Sequence, residues 1–294
     1  MEIPAAHLER IQACYPDLVI SSVYADSDGL INDVYIVNNE LVFRFPKNEE
    51  ARETLALEIS VLDLARKYLD MPVPSFEQRT PDFAAYRMIA GDPLYRHDLL
   101  RLSEAAQDEL AQQLATFLRQ LHSIPVQELE KYGLPRATTE DTLMRIEQFY
   151  ENVERELFPY LMKMAKDWAR QLFAPVLNSK LSMEYVPALI HNDLAPYHIL
   201  YDKAGPRITG ILDFGTARIS DAARDLTAIL LAYGESFLKR MTRFYPAIDE
   251  ALDRARFYAG LLELEWALIG VRTRDLTWSV CHIGWARDIL PTPL

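Results

Sequence analysis

The spacing of hydrophobic positions in this 294-residue chain changes about a third of the way along. Up to Ile89, short apolar runs are separated by turn residues. A short amphipathic helix around 4–14 precedes three runs that read as strands, at 18–24, 34–38 and 41–45. Asn38-Asn39 joins the last two, and asparagine tolerates the backbone geometry of a tight hairpin turn. Along the third run, strand alternation puts Val42 and Arg44 on one face and Phe43 and Phe45 on the other. A helix is predicted from Glu49 to about Leu69, because Leu55, Ile59, Leu62, Ala65 and Leu69 recur at spacings of three and four. Met71-Pro72-Val73-Pro74 ends it, since proline cannot continue a helix and pushes its predecessor towards extended geometry. Two further strands, 75–78 and 83–89, complete a small sheet.

Ala90-Gly91-Asp92-Pro93 is the predicted boundary between two domains, 1–90 and 91–294. Beyond it the pattern is mainly helical. Ser103 is placed to cap a helix carrying Leu110, Leu114, Phe117, Leu118 and Leu121. A long helical stretch from Thr139 to Leu177 is expected to break near Pro159. A short β-rich insert, Leu189 to Leu212, follows, and helices fill the remainder. The fold class is therefore α+β, with a small β-rich N-terminal part and a larger helical C-terminal part. No internal repeat or low-complexity segment is present.

Composition narrows the functional classes. Acidic residues outnumber basic ones 43 to 31, a net charge of −12 that repels phosphate backbones and disfavours a general nucleic-acid partner. Hydrophobic residues at 50% and aromatics at 11% exclude global disorder. Cys14 and Cys281 stand far apart, without metal-type spacing or a disulfide framework, so a reducing cytoplasm is expected. Met1-Glu2-Ile3-Pro4 has no basic or apolar signal character, and stretches such as 226–233 are far short of the roughly 20 residues that span a bilayer. A soluble cytoplasmic protein without a membrane partner is the expectation.

The chemistry is concentrated in two segments. Ala188-Leu189-Ile190 leads into His191-Asn192-Asp193, with His198 five positions further on, and a second apolar run, Gly210-Ile211-Leu212, ends in Asp213-Phe214-Gly215. Phosphoryl transfer needs a carboxylate to accept a hydrogen bond from the attacking hydroxyl and further ligands to hold magnesium on the phosphates. Two aspartates, each delivered by an apolar strand, supply those parts. The plainer alternative is a turn-forming Asp193 and a strand-capping Asp213, since aspartate is common in turns.

The loop His191-Asn192-Asp193-(four residues)-His198 and the segment Leu212-Asp213-Phe214-Gly215 resemble the His-x-Asp-x-x-x-x-Asn loop and Ile/Leu-Asp-Phe-Gly of the aminoglycoside phosphotransferase family, distant relatives of protein kinases. Ser220-Asp221-Ala222-Ala223-Arg224-Asp225-Leu226 is similar to that family's Gly-Asp-Pro-Ala-x-Asp-Leu segment. The resemblance covers most of the chain and implies a two-lobed, protein-kinase-like fold, with residues 1–90 as the nucleotide-binding lobe and 91–294 as the catalytic and substrate-binding lobe. It makes Asp193 the catalytic base, His191 a structural member of the catalytic loop, and Asp213 a magnesium ligand. His198 stands where the family usually has the asparagine that ligates the second metal. Macrolide phosphotransferases are similar in having histidine there, although they usually continue with Asp-Trp rather than the Asp213-Phe214 of this chain. A neutral imidazole can ligate a divalent metal, but it suits magnesium less well than oxygen does. Simple packing is the alternative for His198.

The resemblance also implies a cation on the nucleotide phosphates and a helix glutamate that holds it. Val42-Phe43-Arg44-Phe45-Pro46-Lys47 looks like the family's third strand, which assigns Arg44 to the phosphates, Glu58 to its partner, and Lys47 to the fallback role. Ser27 lies in a polar loop, Ser27 to Asp33, similar to the nucleotide-positioning loop of antibiotic kinases, though an ordinary turn accounts for it almost as well. The backbone at Arg87, Met88 and Ile89 is the expected hinge against the purine, for ATP or GTP alike. A cationic acceptor calls for carboxylates, and Glu235, Glu263 and Glu265 are the candidates. The last two, two positions apart on one helix, diverge by about 200° and cannot both face one pocket squarely.

The expected activity is therefore magnesium-dependent transfer of a nucleotide γ-phosphate to a hydroxyl of an aminoglycoside antibiotic, a resistance reaction. A kinase of a macrolide or of a cellular sugar or amino alcohol is the alternative. A nucleotide-binding pseudokinase also stays open, because of His198 and Arg44.

Overall fold

A computed structural model describes residues 3–26, 31–80 and 82–275. The N-terminal third contains helix α1 (Ala5–Cys14), strands β1 (Val23–Asp26), β2 (Asn32–Val37) and β3 (Leu41–Pro46), helix α2 (Glu49–Ala65), and strands β4 (Phe76–Arg79) and β5 (Ala84–Arg87). The five strands form one antiparallel sheet in the order β1-β2-β3-β5-β4. Asn38 and Asn39 have φ of 56° and 53°, and the Val37 carbonyl accepts the Glu40 N–H across them. That is the left-handed pair a tight hairpin requires.

The first strand starts at Val23, later than the apolar pattern predicted. The Asn38 side chain is the reason. Its Oδ1 accepts the Ser21 N–H at 2.8 Å, the Ser21 hydroxyl at 2.9 Å and the Ser22 N–H at 3.1 Å, and its Nδ2 donates to the Val19 carbonyl at 2.8 Å. Backbone groups of Val19, Ser21 and Ser22 thus find a side-chain partner in place of strand ladder bonds. Helix α2 opens on Asn48, whose side chain accepts the Ala51 N–H, with Glu49 and Glu50 in the first turn favouring the positive helix end. It stops at Ala65; turns carry the chain on to Leu69, which stays buried.

The alternation in β3 decides what each face of the sheet does. Phe43 and Phe45 join Ile11, Tyr35, Val37 and Phe83 in an apolar core. Arg44 faces the other way, where it meets α2.

The chain continues through β6 (Asp92–Pro93), α3 (Arg96–Leu99), α4 (Glu104–His122), α5 (Val126–Leu129), α6 (Thr139–Asn152), α7 (Lys163–Leu177), β7 (Ala188–Ile190), β8 (Ile199–Asp202), β9 (Arg207–Ile211) and β10 (Arg218–Ser220), and ends in α8 (Ala223–Tyr233), α9 (Glu235–Met241) and α10 (Ala247–Thr273). Ser103 caps α4 by accepting the Ala106 N–H. The helical stretch expected from Thr139 breaks after Asn152 into a π-type turn at Val153–Leu157 and a 3-10 turn at Phe158–Tyr160, so Pro159 sits inside the break. Strands β6, β8 and β9 form a second small antiparallel sheet, against which α4 is tied by Gln113 to the Ile208 N–H and the Pro206 carbonyl.

The described residues divide into two compact units, one made of residues up to Leu134 with His191–Arg218, the other of Pro135–Ile190 with the chain from Ile219 onwards. In the second unit α8 lies along α10. Its buried polar centre is Asp221, whose carboxylate accepts two bonds from Arg254, one from the Ala223 N–H and one from the Tyr258 hydroxyl. Among the described residues no helix is long and apolar enough to cross a membrane.

Candidate active site

The first unit brings five of the sequence-predicted residues into one line. It begins with Glu58 on α2, fully buried, and Arg44 on β3, whose Nη1 donates to Glu58 Oε1 at 2.7 Å. The Phe214 N–H donates to the same oxygen at 3.2 Å. Glu58 Oε2 is buried with no hydrogen-bond partner. Burial pushes the Glu58 carboxyl up, against the opposing pull of Arg44. The other amino group of the Arg44 fork lies 3.9 Å from Asp213 Oδ1. A lysine ammonium is a single point charge, whereas the planar guanidinium reaches both carboxylates at once.

Asp213 follows β9 and adopts φ of 61°, a left-handed conformation that costs energy for a residue with a side chain. Its Oδ1 accepts the Gly215 N–H at 3.2 Å. Burial acts to raise its pKa, but Arg44, His198, the Gly215 N–H and His191 outweigh burial and hold the carboxyl below its ordinary value. The carboxylate is therefore charged and 42% exposed. A Cβ placed on Gly215 would stand 3.1 Å from Asp213 Oδ1, so glycine keeps the approach to this carboxylate open.

Two histidines set the geometry of the loop between β7 and β8. His191 is fully buried. Its Nδ1 accepts the Asp193 N–H at 3.2 Å, which leaves Nε2 to donate to the Leu212 carbonyl at 2.9 Å. The Thr216 hydroxyl donates to the His191 carbonyl, and Phe214 packs with its ring 4.6 Å from the imidazole. One neutral ring thus joins the segment that carries Asp193 to the segment that carries Asp213. Asn192 between them is left-handed, with φ of 67°.

His198 closes the line. A carbonyl only accepts, so His198 Nδ1 is the donor in its 2.8 Å bond to the Asp193 carbonyl. That leaves Nε2 facing Asp213 Oδ2 at 3.6 Å, while the Asp193 carboxylate lies 3.8 Å from Nδ1 and is 43% exposed. A ring nitrogen facing a carboxylate at this distance is an arrangement that a shared cation or proton stabilises. Among the described residues, no group of three or more His, Cys, Asp or Glu is arranged to hold a metal ion. Magnesium, however, is usually held by one or two carboxylates together with substrate phosphates and water. Asp213, with His198 beside it and the open approach at Gly215, fits that demand.

The remaining expected residues are placed as follows. Arg87 ends β5 with its side chain exposed and paired to Glu77; the Met88 N–H donates to the Glu40 carbonyl. Ile89 rests on Gly210 of β9, where an added Cβ would stand 2.7 Å from the Ile89 side chain. Lys47 lies 3.5 Å from Asp33. Ser27 lies outside the described residues. Glu235, Glu263 and Glu265 belong to the second unit. Glu235 is gripped by both ends of the Arg256 fork and by Lys239 at 2.6 Å, which hold its pKa down at about 2. Burial pushes the Glu265 carboxyl up, with Arg224 opposing.

Sequence reasoning missed the backbone donors from Phe214 and Gly215 and the left-handed turns at Asn192 and Asp213. It also missed Tyr197, half exposed with its ring 4.5 Å from that of His198. Its signal was an aromatic residue between Pro196 and His198, inside the loop that carries the chemistry.

Residues 23–263 match the phosphotransferase enzyme family. Viomycin phosphotransferase from Streptomyces vinaceus is 28% identical over 202 residues, 66% of this chain and about two thirds (66%) of that relative's length. Among solved structures, the GDP and kanamycin complex of APH(2″)-IIIa superposes with a TM-score of 0.85 at 29% identity, covering 95% of this chain and 96% of that one. The apo macrolide 2′-phosphotransferase from Brachybacterium faecium shares the fold, with a TM-score of 0.77 at 18% identity over 98% of this chain and 99% of that one. The α+β architecture is thus that of the kinase-like antibiotic phosphotransferases.

Proposed function

The chain belongs to the phosphotransferase enzyme family, and on that premise we propose that it moves the γ-phosphate of ATP or GTP to a hydroxyl of an aminoglycoside antibiotic. Nucleotide-dependent phosphoryl transfer to a hydroxyl of a small molecule is the chemistry of its relatives. The observation that carries the assignment of roles is the side-chain line Glu58–Arg44–Asp213–His198–Asp193, with steps of 2.7, 3.9, 3.6 and 3.8 Å.

In this reading Asp193 accepts the hydrogen bond of the acceptor hydroxyl, aligns its oxygen on the phosphorus and takes the proton as the new bond forms. His191 holds the Asp193 backbone in place through the amide it accepts. Arg44, pinned by Glu58, presents its fixed fork to the phosphates. Magnesium, when bound through Asp213 and His198, neutralises charge on the phosphates. Residues 1–90 then serve as the nucleotide-binding lobe, with the Ser27 loop and the 87–89 backbone against the nucleotide, and 91–294 as the catalytic and acceptor lobe. One of Glu263 and Glu265 is an acceptor carboxylate in this scheme, since the two diverge too far on their helix to face one pocket together. Glu235 joins it only by exchanging its Arg256 and Lys239 contacts for the ligand. The setting is the cytoplasm, where nucleoside triphosphates and magnesium are at hand.

One observation favours a second acceptor class: an imidazole, at His198, in the metal-side position. It keeps a macrolide or a cellular sugar or amino alcohol in view. A nucleotide-consumption assay with magnesium against panels of aminoglycosides, macrolides and sugar or amino alcohols separates the readings. Turnover of aminoglycosides is the expected result. Turnover of macrolides or metabolites alone replaces the acceptor class, and nucleotide binding with no turnover of any acceptor leaves a pseudokinase.

A further inference from the structure

Two large aromatic side chains of the first unit stand in water beside the candidate base. Tyr197 is 53% exposed and Tyr95 is 42% exposed. Single exposed aromatics are ordinary on protein surfaces. The fold fixes the place of each, Tyr197 against His198 and Tyr95 stacked on His97. Pro196–His198 forms one 3-10 turn closed by the His198 N–H on the Ala195 carbonyl, which fixes Tyr197 next to His198. The Leu94 N–H donates to the Ile199 carbonyl at 2.8 Å, continuing the β6–β8 pairing and setting Tyr95 alongside the same turn.

The Tyr197 ring meets the His198 ring edge-to-face, at 4.5 Å between centroids and 78° between planes. His198 in turn touches both Asp193 and Asp213. The exposed tyrosine therefore sits one side chain, His198, from two carboxylates, one of them the candidate base.

We propose that Tyr197 is a specificity-determining residue that receives the protonated amino-sugar ring of the acceptor next to Asp193. The inference rests on the aminoglycoside reading above and adds to it a residue that contacts the acceptor. An aromatic face attracts an ammonium group electrostatically and packs against the C–H face of a sugar ring, and nearby carboxylates strengthen the pull on the cation. Carboxylates alone would attract any polycation without orienting it. A flat ring beside the base selects the hydroxyl that is presented to Asp193.

The test is initial-rate kinetics of Tyr197→Ala and Tyr197→Phe with kanamycin and with N-acetylated kanamycin, together with calorimetric titration of kanamycin into the nucleotide-bound protein. Tyr197→Ala is expected to raise the kanamycin KM and Kd about tenfold, with the nucleotide KM holding and Tyr197→Phe restoring wild-type behaviour. The penalty should shrink for the N-acetylated compound, which lacks the ammonium charges. Unchanged kanamycin affinity in Tyr197→Ala overturns the proposal. A matching loss of acceptor-free nucleotide hydrolysis also overturns it, because the ring would then act by bracing His198. So does a raised nucleotide KM, which would turn the ring towards the ribose. Failure of the underlying reading looks different: wild-type protein that binds nucleotide but no kanamycin removes the aminoglycoside acceptor itself.

Discussion

His198 Nε2 faces Asp213 Oδ2 at 3.6 Å while His198 Nδ1 donates to the Asp193 carbonyl at 2.8 Å. Nδ1 is thereby committed to the Asp193 carbonyl, and Nε2 is the nitrogen left on the side of Asp213, where the proposed metal would bind. Imidazole favours borderline cations over magnesium, whereas an amide oxygen suits magnesium. The wild-type enzyme is therefore expected to work better with manganese relative to magnesium than His198→Asn does. The substitution is expected to lower the magnesium concentration needed for half-maximal rate by about threefold or more. Rate against metal concentration for both proteins and both metals checks this, and identical metal profiles would remove His198 from the metal.

Asp193→Asn keeps the size of the side chain and the backbone contacts of its neighbours but removes the acceptor for the hydroxyl proton. Turnover is expected to fall by roughly 10²–10⁴-fold, the usual contribution of general base catalysis, with nucleotide affinity close to wild type. Single-turnover kinetics and nucleotide titration measure the two separately. Near-normal turnover would show that another group takes the proton.

Arg44 and Glu58 are buried together, so removing one strands the other. Arg44→Met leaves a carboxylate that is 1% exposed without its cation, a loss of about 3–5 kcal/mol in a typical protein. Urea unfolding of Arg44→Met, Glu58→Met and the double variant is expected to show the double variant more stable than either single one. Additive losses would mean that the pair is not coupled. Arg44→Lys retains the charge without the fork, and its nucleotide KM is expected to rise several-fold.

The pH dependence follows from Asp213. Its folded pKa is depressed, so its contribution to stability is fully present above the unfolded value, about 3.9, and is lost as pH falls through the lower folded value. The wild-type melting temperature should therefore drop in the acid region below about pH 4 more steeply than that of Asp213→Asn. Thermal melts of the two proteins from neutral to acid pH measure the difference. Parallel curves would show that Arg44 and His198 do not stabilise the charged carboxylate.

Much of this was legible from local pattern. The Asn38-Asn39 turn, the Ser103 cap and the alternation that turns Arg44 away from the Phe43–Phe45 core are decided by neighbouring residues. The spacing of Asp193, His198 and Asp213 was sufficient to bring them together once their segments paired. What escaped depends on distant partners. No local signal says that Asn38 will bind the backbone of residues 19–22 and delay the first strand. Nor does helical spacing reveal that Glu235 will be clasped by Arg256, twenty-one residues on. The exposure of Tyr197 likewise follows from the tertiary position of its turn, since an aromatic next to proline reads equally well as core.

Asn192, just before Asp193, and Asp213 itself, at the middle of the line of five, both bend the chain through the left-handed region. Apart from glycine, asparagine and aspartate are the residues that accept this bend most readily. Mutational drift at these two joints is accordingly confined to a very small alphabet. At position 213, where the proposed mechanism also calls for the carboxylate, the alphabet shrinks to a single letter. Variation is therefore left to exposed positions such as Tyr197, with the joints untouched.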